Sequence, residues 1–266
     1  MASWIIDTFL KLTTSAGTFL GFIAVLYFLQ RLVCGLAVRH FGNSSIYLSA
    51  IVGTPIHEIS HALACIPFRH KIEEVALFKP DGAGTLGYVN HSYNPRSLWQ
   101  QIGNFFIGTA PLVGGTASIF LLTYLMLPNS QEILAAVTSS TSAYQNVSGA
   151  TSFVMALHVE LTDISKLLYL AAALEPIRFT LWAYLTGAIA LHLSPSPADM
   201  KGSVKGFILI VLLLTAFRFM SPSASDQFFS ALSSALLSLS VTYSLCILLA
   251  ASLATVIFAL SLLTKR

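Results

Sequence analysis

Charged side chains are scarce in this chain. They make up 9% of its 266 residues, against about 25% in a soluble globular domain. The chain is 55% hydrophobic, with a mean hydropathy of +0.77. So little charge excludes an ordinary soluble domain and implies an all-α polytopic membrane protein, a helix bundle packed in lipid. The net charge of +3 is too small and too scattered for a nucleic-acid partner. Cysteine is equally scarce. Cys34, Cys65 and Cys246 show no C-x-x-C spacing, which excludes a disulfide framework. No basic cluster precedes the first apolar run, where Asp7 comes before Lys11, so the first helix is expected to remain in the mature protein. There is no internal repeat.

What is abundant is apolar sequence of spanning length. Such segments fall at 14–38, 44–66, 101–127, 174–193, 206–220 and 230–263, giving about six transmembrane helices. Nine of the 14 basic residues lie on one side if loops 67–100 and 194–205 and both termini are cytoplasmic. Segment 128–173 then lies outside. A bacterial plasma membrane is the default setting. Between the second and third helices, Ile72–Phe78 and Thr85–Tyr93 are strand-like and flank the turn cluster Lys79-Pro80-Asp81-Gly82-Ala83-Gly84. A small β-hairpin over 72–93 is expected on the cytoplasmic side. The chain divides into an accessory first helix (1–43), a membrane core (44–205) and accessory C-terminal helices (206–266). Within the core, an Ala-Pro helix occupies 101–127, an outer segment 128–173, and a helix at 174–193 leads into a loop carrying Asp199.

One motif in the core carries chemistry. His57-Glu58-Ile59-Ser60-His61 is H-E-x-x-H, which composition alone would produce in roughly 0.4% of such chains. On a helix, His57 and His61 share a face and can hold one ion, with Glu58 beside them as general base. Ionisable groups in a membrane segment are costly and mark function by default. Cys65 lies about 12 Å along the helix from His57, too far to join both histidines, and reads as a small buried apolar residue. Catalytic zinc needs a third protein ligand, and the candidates are Asp199, Glu160, Asp163, Glu175 and His192. Glu160 and Asp163 fall in the outer segment, and Glu175 has the spacing to pair with Arg178. Helix direction brings Asp199 to the depth of His57, about 16 Å from the inner end of its helix. Pro195 and Pro197 should end the preceding helix and leave Asp199 on irregular backbone. His91 and His158 read as structural or surface residues. Pro111, Gly114 and Gly115 read as a site of close helix packing.

Together, His57–His61, Ala110-Pro111-Leu112 and His192-Leu193-Ser194-Pro195…Asp199 resemble the three motif elements of the site-2 protease family of intramembrane zinc metalloproteases. The resemblance covers about 44–205. It implies a Zn2+ cofactor on His57, His61 and Asp199. Water is then activated with Glu58 as base, and a membrane-protein or peptide substrate is cleaved within or beside the bilayer. His192 stands where the family usually has Asn, and reads either as a hydrogen-bond donor to the substrate or oxyanion or as a satisfied interfacial histidine. Gly114 or Gly115 replaces the Asn of the middle element, and Pro195 to Asp199 is one residue shorter than the usual spacing, which marks a divergent member. An exposed hairpin edge would bind an unwound substrate by β-addition. The rival expectations are a non-proteolytic zinc-binding regulator or transporter, and a membrane zincin of another family with a downstream glutamate as ligand.

Overall fold

The computed structural model describes residues 2–264 except 83, 146 and 148. The tail residues Lys265 and Arg266, and Ala83 of the turn cluster, lie outside the described residues. Proline and glycine punctuate the helices. Helix α1 (Ala2–Phe41) stops at Gly42, whose φ of +80° leaves the helical region. Helix α2 spans Ser45–Cys65. Beyond it Arg69 adopts a left-handed φ of 56°, and the His70 N–H donates to the Cys65 carbonyl at 3.0 Å. That turn feeds β1 (Lys71–Ala76) and β2 (Tyr88–Ser92), an antiparallel pair with an irregularity between Ile72 and Glu74. Helix α3 (Leu98–Met126) is capped by Ser97 and is followed by α4 (Ser130–Gln145) and α5 (Ala150–Leu174). Helices α6 (Pro176–Ala190), α7 (Pro197–Met220) and α8 (Pro222–Thr264) each begin on proline. Its fixed φ suits a first helical position, where the missing N–H is no loss.

The molecule is thus a helical protein with one small two-stranded sheet, and among the described residues four helices are long and apolar enough to cross a membrane. They are the Ser15–Phe41 part of α1, all of α3 and α7, and the Pro222–Leu253 part of α8. This is fewer than the six expected. In α2, His57, Glu58 and His61 lower the hydropathy. Helix α6 has only 15 residues, about 22 Å, short of the ~30 Å hydrocarbon core. One further expectation changes. The loop expected around Asp199 is the first turn of α7, so the short fifth segment grows into a full 24-residue helix. The outer segment 128–173 forms α4 and α5, which join the core through Ile133, Val137, Ile164 and Leu168. The terminal apolar stretch is one continuous 43-residue helix.

Helix α1 packs along α8, and α3 lies against both α2 and α7. Buried polar contacts tie the core across helices. Trp182 Nε1 donates to Thr123 Oγ1 at 3.1 Å, and the Tyr243 hydroxyl donates to the Leu112 carbonyl at 2.9 Å. Glycine sets the spacing around α3. A Cβ on Gly114 would sit 2.1 Å from Ser60 Oγ, and one on Gly115 would sit 2.1 Å from Leu193 Cδ2. The close packing expected near Pro111 is therefore present, and it brings α2 to α3 along the motif-bearing segment.

Candidate metal centre

Helical register puts His57, Glu58 and His61 on one wall of α2. Helix α7 arrives with its N-terminus beside them. Ser196 and Asp199 form a capping box: the Ser196 N–H donates to Asp199 Oδ2 at 2.7 Å, and the Asp199 N–H donates to Ser196 Oγ at 3.2 Å. The carboxylate is thereby fixed with Oδ2 3.6 Å from His57 Nε2 and Oδ1 3.4 Å from His61 Nε2. The two Nε2 atoms are 3.1 Å apart.

The other ring nitrogens define the protons. His57 Nδ1 donates to the His192 carbonyl at 2.6 Å, and His61 Nδ1 donates to the Ile107 carbonyl at 2.7 Å. Carbonyl oxygens only accept, so both Nδ1 atoms carry hydrogen, and each neutral ring presents an Nε2 lone pair. Two lone pairs and a carboxylate then face one point. A proton on one Nε2 satisfies one edge of that triangle, whereas a divalent ion satisfies all three. Tetrahedral zinc with Zn–N bonds of 2.0–2.1 Å would separate its ligands by about 3.3 Å. The donor types and edges fit such an ion. Backbone carbonyls behind each imidazole are the partners that orient metal-bound histidines.

The three ligand candidates and Glu58 border a cavity of about 720 Å³, walled also by the hairpin and by α1, α3 and α7. Glu58 is 7% exposed. No hydrogen bond or ion pair joins its carboxyl to a described residue, so it is not a salt-bridged structural glutamate. The hairpin sits directly on it: a Cβ at Gly87 would lie 2.9 Å from Glu58 Cγ and 2.7 Å from the Ala76 carbonyl oxygen.

The remaining sequence candidates do not join these three, although His192 borders the same cavity. Glu160 is buried between helices, where Tyr144 donates to it at 2.7 Å and Ser244 donates to its other oxygen. Asp163 pairs with Lys166, and Glu175 pairs with Arg178 at 2.9 Å, as its spacing predicts. The His192 carbonyl serves His57, while its ring lies within 3.2 Å of Ser49 Oγ and fills the space beside Gly53. Among the described residues, His57, His61 and Asp199 are the one group of three potential ligands that converges.

The pairing of the hairpin histidine with His70 is not legible in the sequence. His91 borders the cavity, and its Nδ1 lies 3.0 Å from Nδ1 of buried His70, which in turn donates from Nε2 to the Gln100 carbonyl at 2.9 Å. Since His70 Nε2 carries hydrogen, its Nδ1 accepts and His91 Nδ1 donates. Burial, then the neighbouring His70 and His61, hold the His91 imidazole below its ordinary pKa. No sequence signal pairs residues 70 and 91. Ser196 was missed differently: Ser196-Pro197-Ala198-Asp199 is a readable N-cap pattern. No protein-family model, curated protein or solved structure matches this chain.

Proposed function

We propose that this chain is an integral-membrane zinc endopeptidase of site-2 type, cleaving polypeptides within or beside the bilayer. His57, His61 and Asp199 would hold the ion, and Glu58 would act as general base. The observation that carries this reading is the convergence of two imidazole Nε2 atoms and one carboxylate on a single point beside a buried carboxyl that has no hydrogen bond or ion pair to a described residue. Zinc, when bound, supplies Lewis acidity and lowers the pKa of a water toward 7.

The chain's own residues do the rest. Glu58 accepts the proton released as water attacks the peptide carbonyl, and passes it to the departing amine. The His192 and Ile107 carbonyls keep both imidazoles in one tautomer and one orientation. The capping box keeps Asp199 from swinging away. A six-span arrangement needs α2 and α6 embedded as well. Burial of Trp182 and of much of α6, and the packing of α2 against α3 and α6, support that reading. The lysine and arginine distribution supports a cytoplasmic hairpin face.

Glu58→Gln tests the mechanism. In purified protein it should retain about one zinc per chain and lose proteolysis, and retained cleavage would reject Glu58 as base. Asp199→Ala should lose the zinc, whereas Glu160→Ala and Glu175→Ala should keep it. The opposite pattern would favour a zincin with a glutamate ligand. Zinc binding without peptidase activity in the wild type would favour a non-proteolytic protein.

A further inference from the structure

Two polar side chains that border the cavity make no hydrogen bond to a described residue. Thr54 is 4% exposed, and its Oγ1 is buried with no hydrogen bond. Its behaviour differs from that of the other hydroxyl residues packed nearby. Ser60, Thr109, Thr116 and Thr186 each donate to the carbonyl four residues back, at 2.6–2.9 Å. Gln30 of α1 is half-buried, borders the same cavity, and makes no hydrogen bond to a described residue. A buried donor left unmade is destabilising by about 1–3 kcal/mol, and polar groups inside a membrane segment mark function. Both residues border the cavity that His57, His61 and Asp199 also line.

Their chemistry and position fit a peptide backbone. A primary amide offers both a donor and an acceptor, and a hydroxyl offers one donor and two acceptors. A membrane helix that unwinds for cleavage frees N–H and C=O groups, which lipid cannot satisfy. On α2, Thr54 lies three residues before His57, on the ligand face, about 4.5 Å along the axis. An extended peptide advances about 3.3 Å per residue, so Thr54 falls one to two residues from a bond cleaved at the ion.

We propose that Thr54 and Gln30 form a backbone-recognition subsite, which hydrogen-bonds a peptide unit of the unwound substrate one to two residues from the scissile bond. This rests on the peptidase reading above. Thr54 and Gln30 take the groups that unwinding exposes, and the substrate in turn satisfies the buried Thr54 hydroxyl.

The test uses detergent-solubilised full chain loaded with cobalt(II), whose absorption spectrum reports ligand binding without turnover. The probes are acetohydroxamate, which has no peptide backbone, and two series of peptide hydroxamates, N-acyl leucyl hydroxamates and succinyl hydroxamates. One series extends by one and two residues on the amino side of the metal-binding group, the other on the carboxyl side. In wild type, one series should gain affinity on extension. In Thr54→Val and Gln30→Leu that gain should fall by about 3- to 10-fold, the worth of one neutral hydrogen bond. Acetohydroxamate affinity should stay unchanged, and Thr54→Ser should restore the gain. Thr54→Val should also melt no lower than wild type, because it removes an unpaired buried hydroxyl.

A gain that persists in both variants overturns the subsite. So does a loss that extends to acetohydroxamate, which would mark a structural disturbance of the ligands, and so does the absence of any gain in wild type. Failure of the wild type to bind cobalt(II) is a different result: it overturns the metallopeptidase reading, and the subsite falls with it.

Discussion

Gly108 is the point at which α3 lies directly on the first turn of α7, and alanine there should weaken metal binding. A Cβ at residue 108 would stand 1.9 Å from Ser203 Oγ and 2.6 Å from the Asp199 carbonyl oxygen. The serine can rotate, although it would lose its bonds to the Asn104 and Asp199 carbonyls at 3.2 and 2.6 Å. The Asp199 carbonyl is helical backbone and cannot. Ordinary contact begins near 3.4 Å, so the start of α7 must retreat by about 0.8 Å, against a tolerance of roughly 0.2 Å for ligand distances at a metal site. Overpacking of this kind destabilises by about 1–3 kcal/mol, which leaves the fold intact. Zinc affinity should fall about 10- to 100-fold, the range seen when supports behind metal ligands are disturbed. Competition against a chromophoric chelator measures the affinity, and a thermal melt confirms folding. Gly187→Ala is the control, because nothing lies within 4 Å of its Cβ position. Wild-type zinc affinity in folded Gly108→Ala would refute the claim that helix spacing positions Asp199.

Two other substitutions probe the hairpin. Gly87→Ala places a Cβ against the Ala76 and Leu77 carbonyl oxygens and 2.9 Å from Glu58 Cγ. Turnover should drop on the order of 10- to 100-fold with zinc content unchanged, and full activity would separate the hairpin from the base. Single prolines along 72–93 should reduce cleavage without removing zinc if a substrate strand adds to the hairpin edge, and unchanged cleavage would sink that idea.

Much of this arrangement is legible in the sequence, and the exceptions have physical causes. The H-E-x-x-H spacing suffices to align His57, Glu58 and His61, because helical periodicity alone does so. The turn cluster at 79–84 locates the hairpin: the Lys79 N–H donates to the Leu86 carbonyl at 2.7 Å, and Asp81 closes the loop on the Thr85 N–H at 3.0 Å. Helix α4 is rich in serine and threonine and shows no apolar run of spanning length. Its hydroxyls bond back along the helix, as Thr138 does to Leu134 and Ser140 to Ala136, while Ile133, Val137 and Tyr144 bury the other face. Two prolines suggest irregular backbone at Asp199, yet Pro197 sits at the first helical position, where proline is favoured. The glycine contacts at 53, 87 and 108 join segments far apart in the chain, and no local pattern reports them. The span count falls short because His57, Glu58 and His61 lower the hydropathy of α2 and because α6 has only 15 residues.

Zinc-edge X-ray absorption on the purified chain tests the central claim most directly. The expected result is about one zinc per chain, with two imidazole nitrogens and carboxylate oxygen at about 2.0–2.2 Å and no sulfur at about 2.3 Å. The carboxylate contribution should be lost in Asp199→Ala. A sulfur ligand, a single imidazole, or protein that takes up no zinc would contradict it.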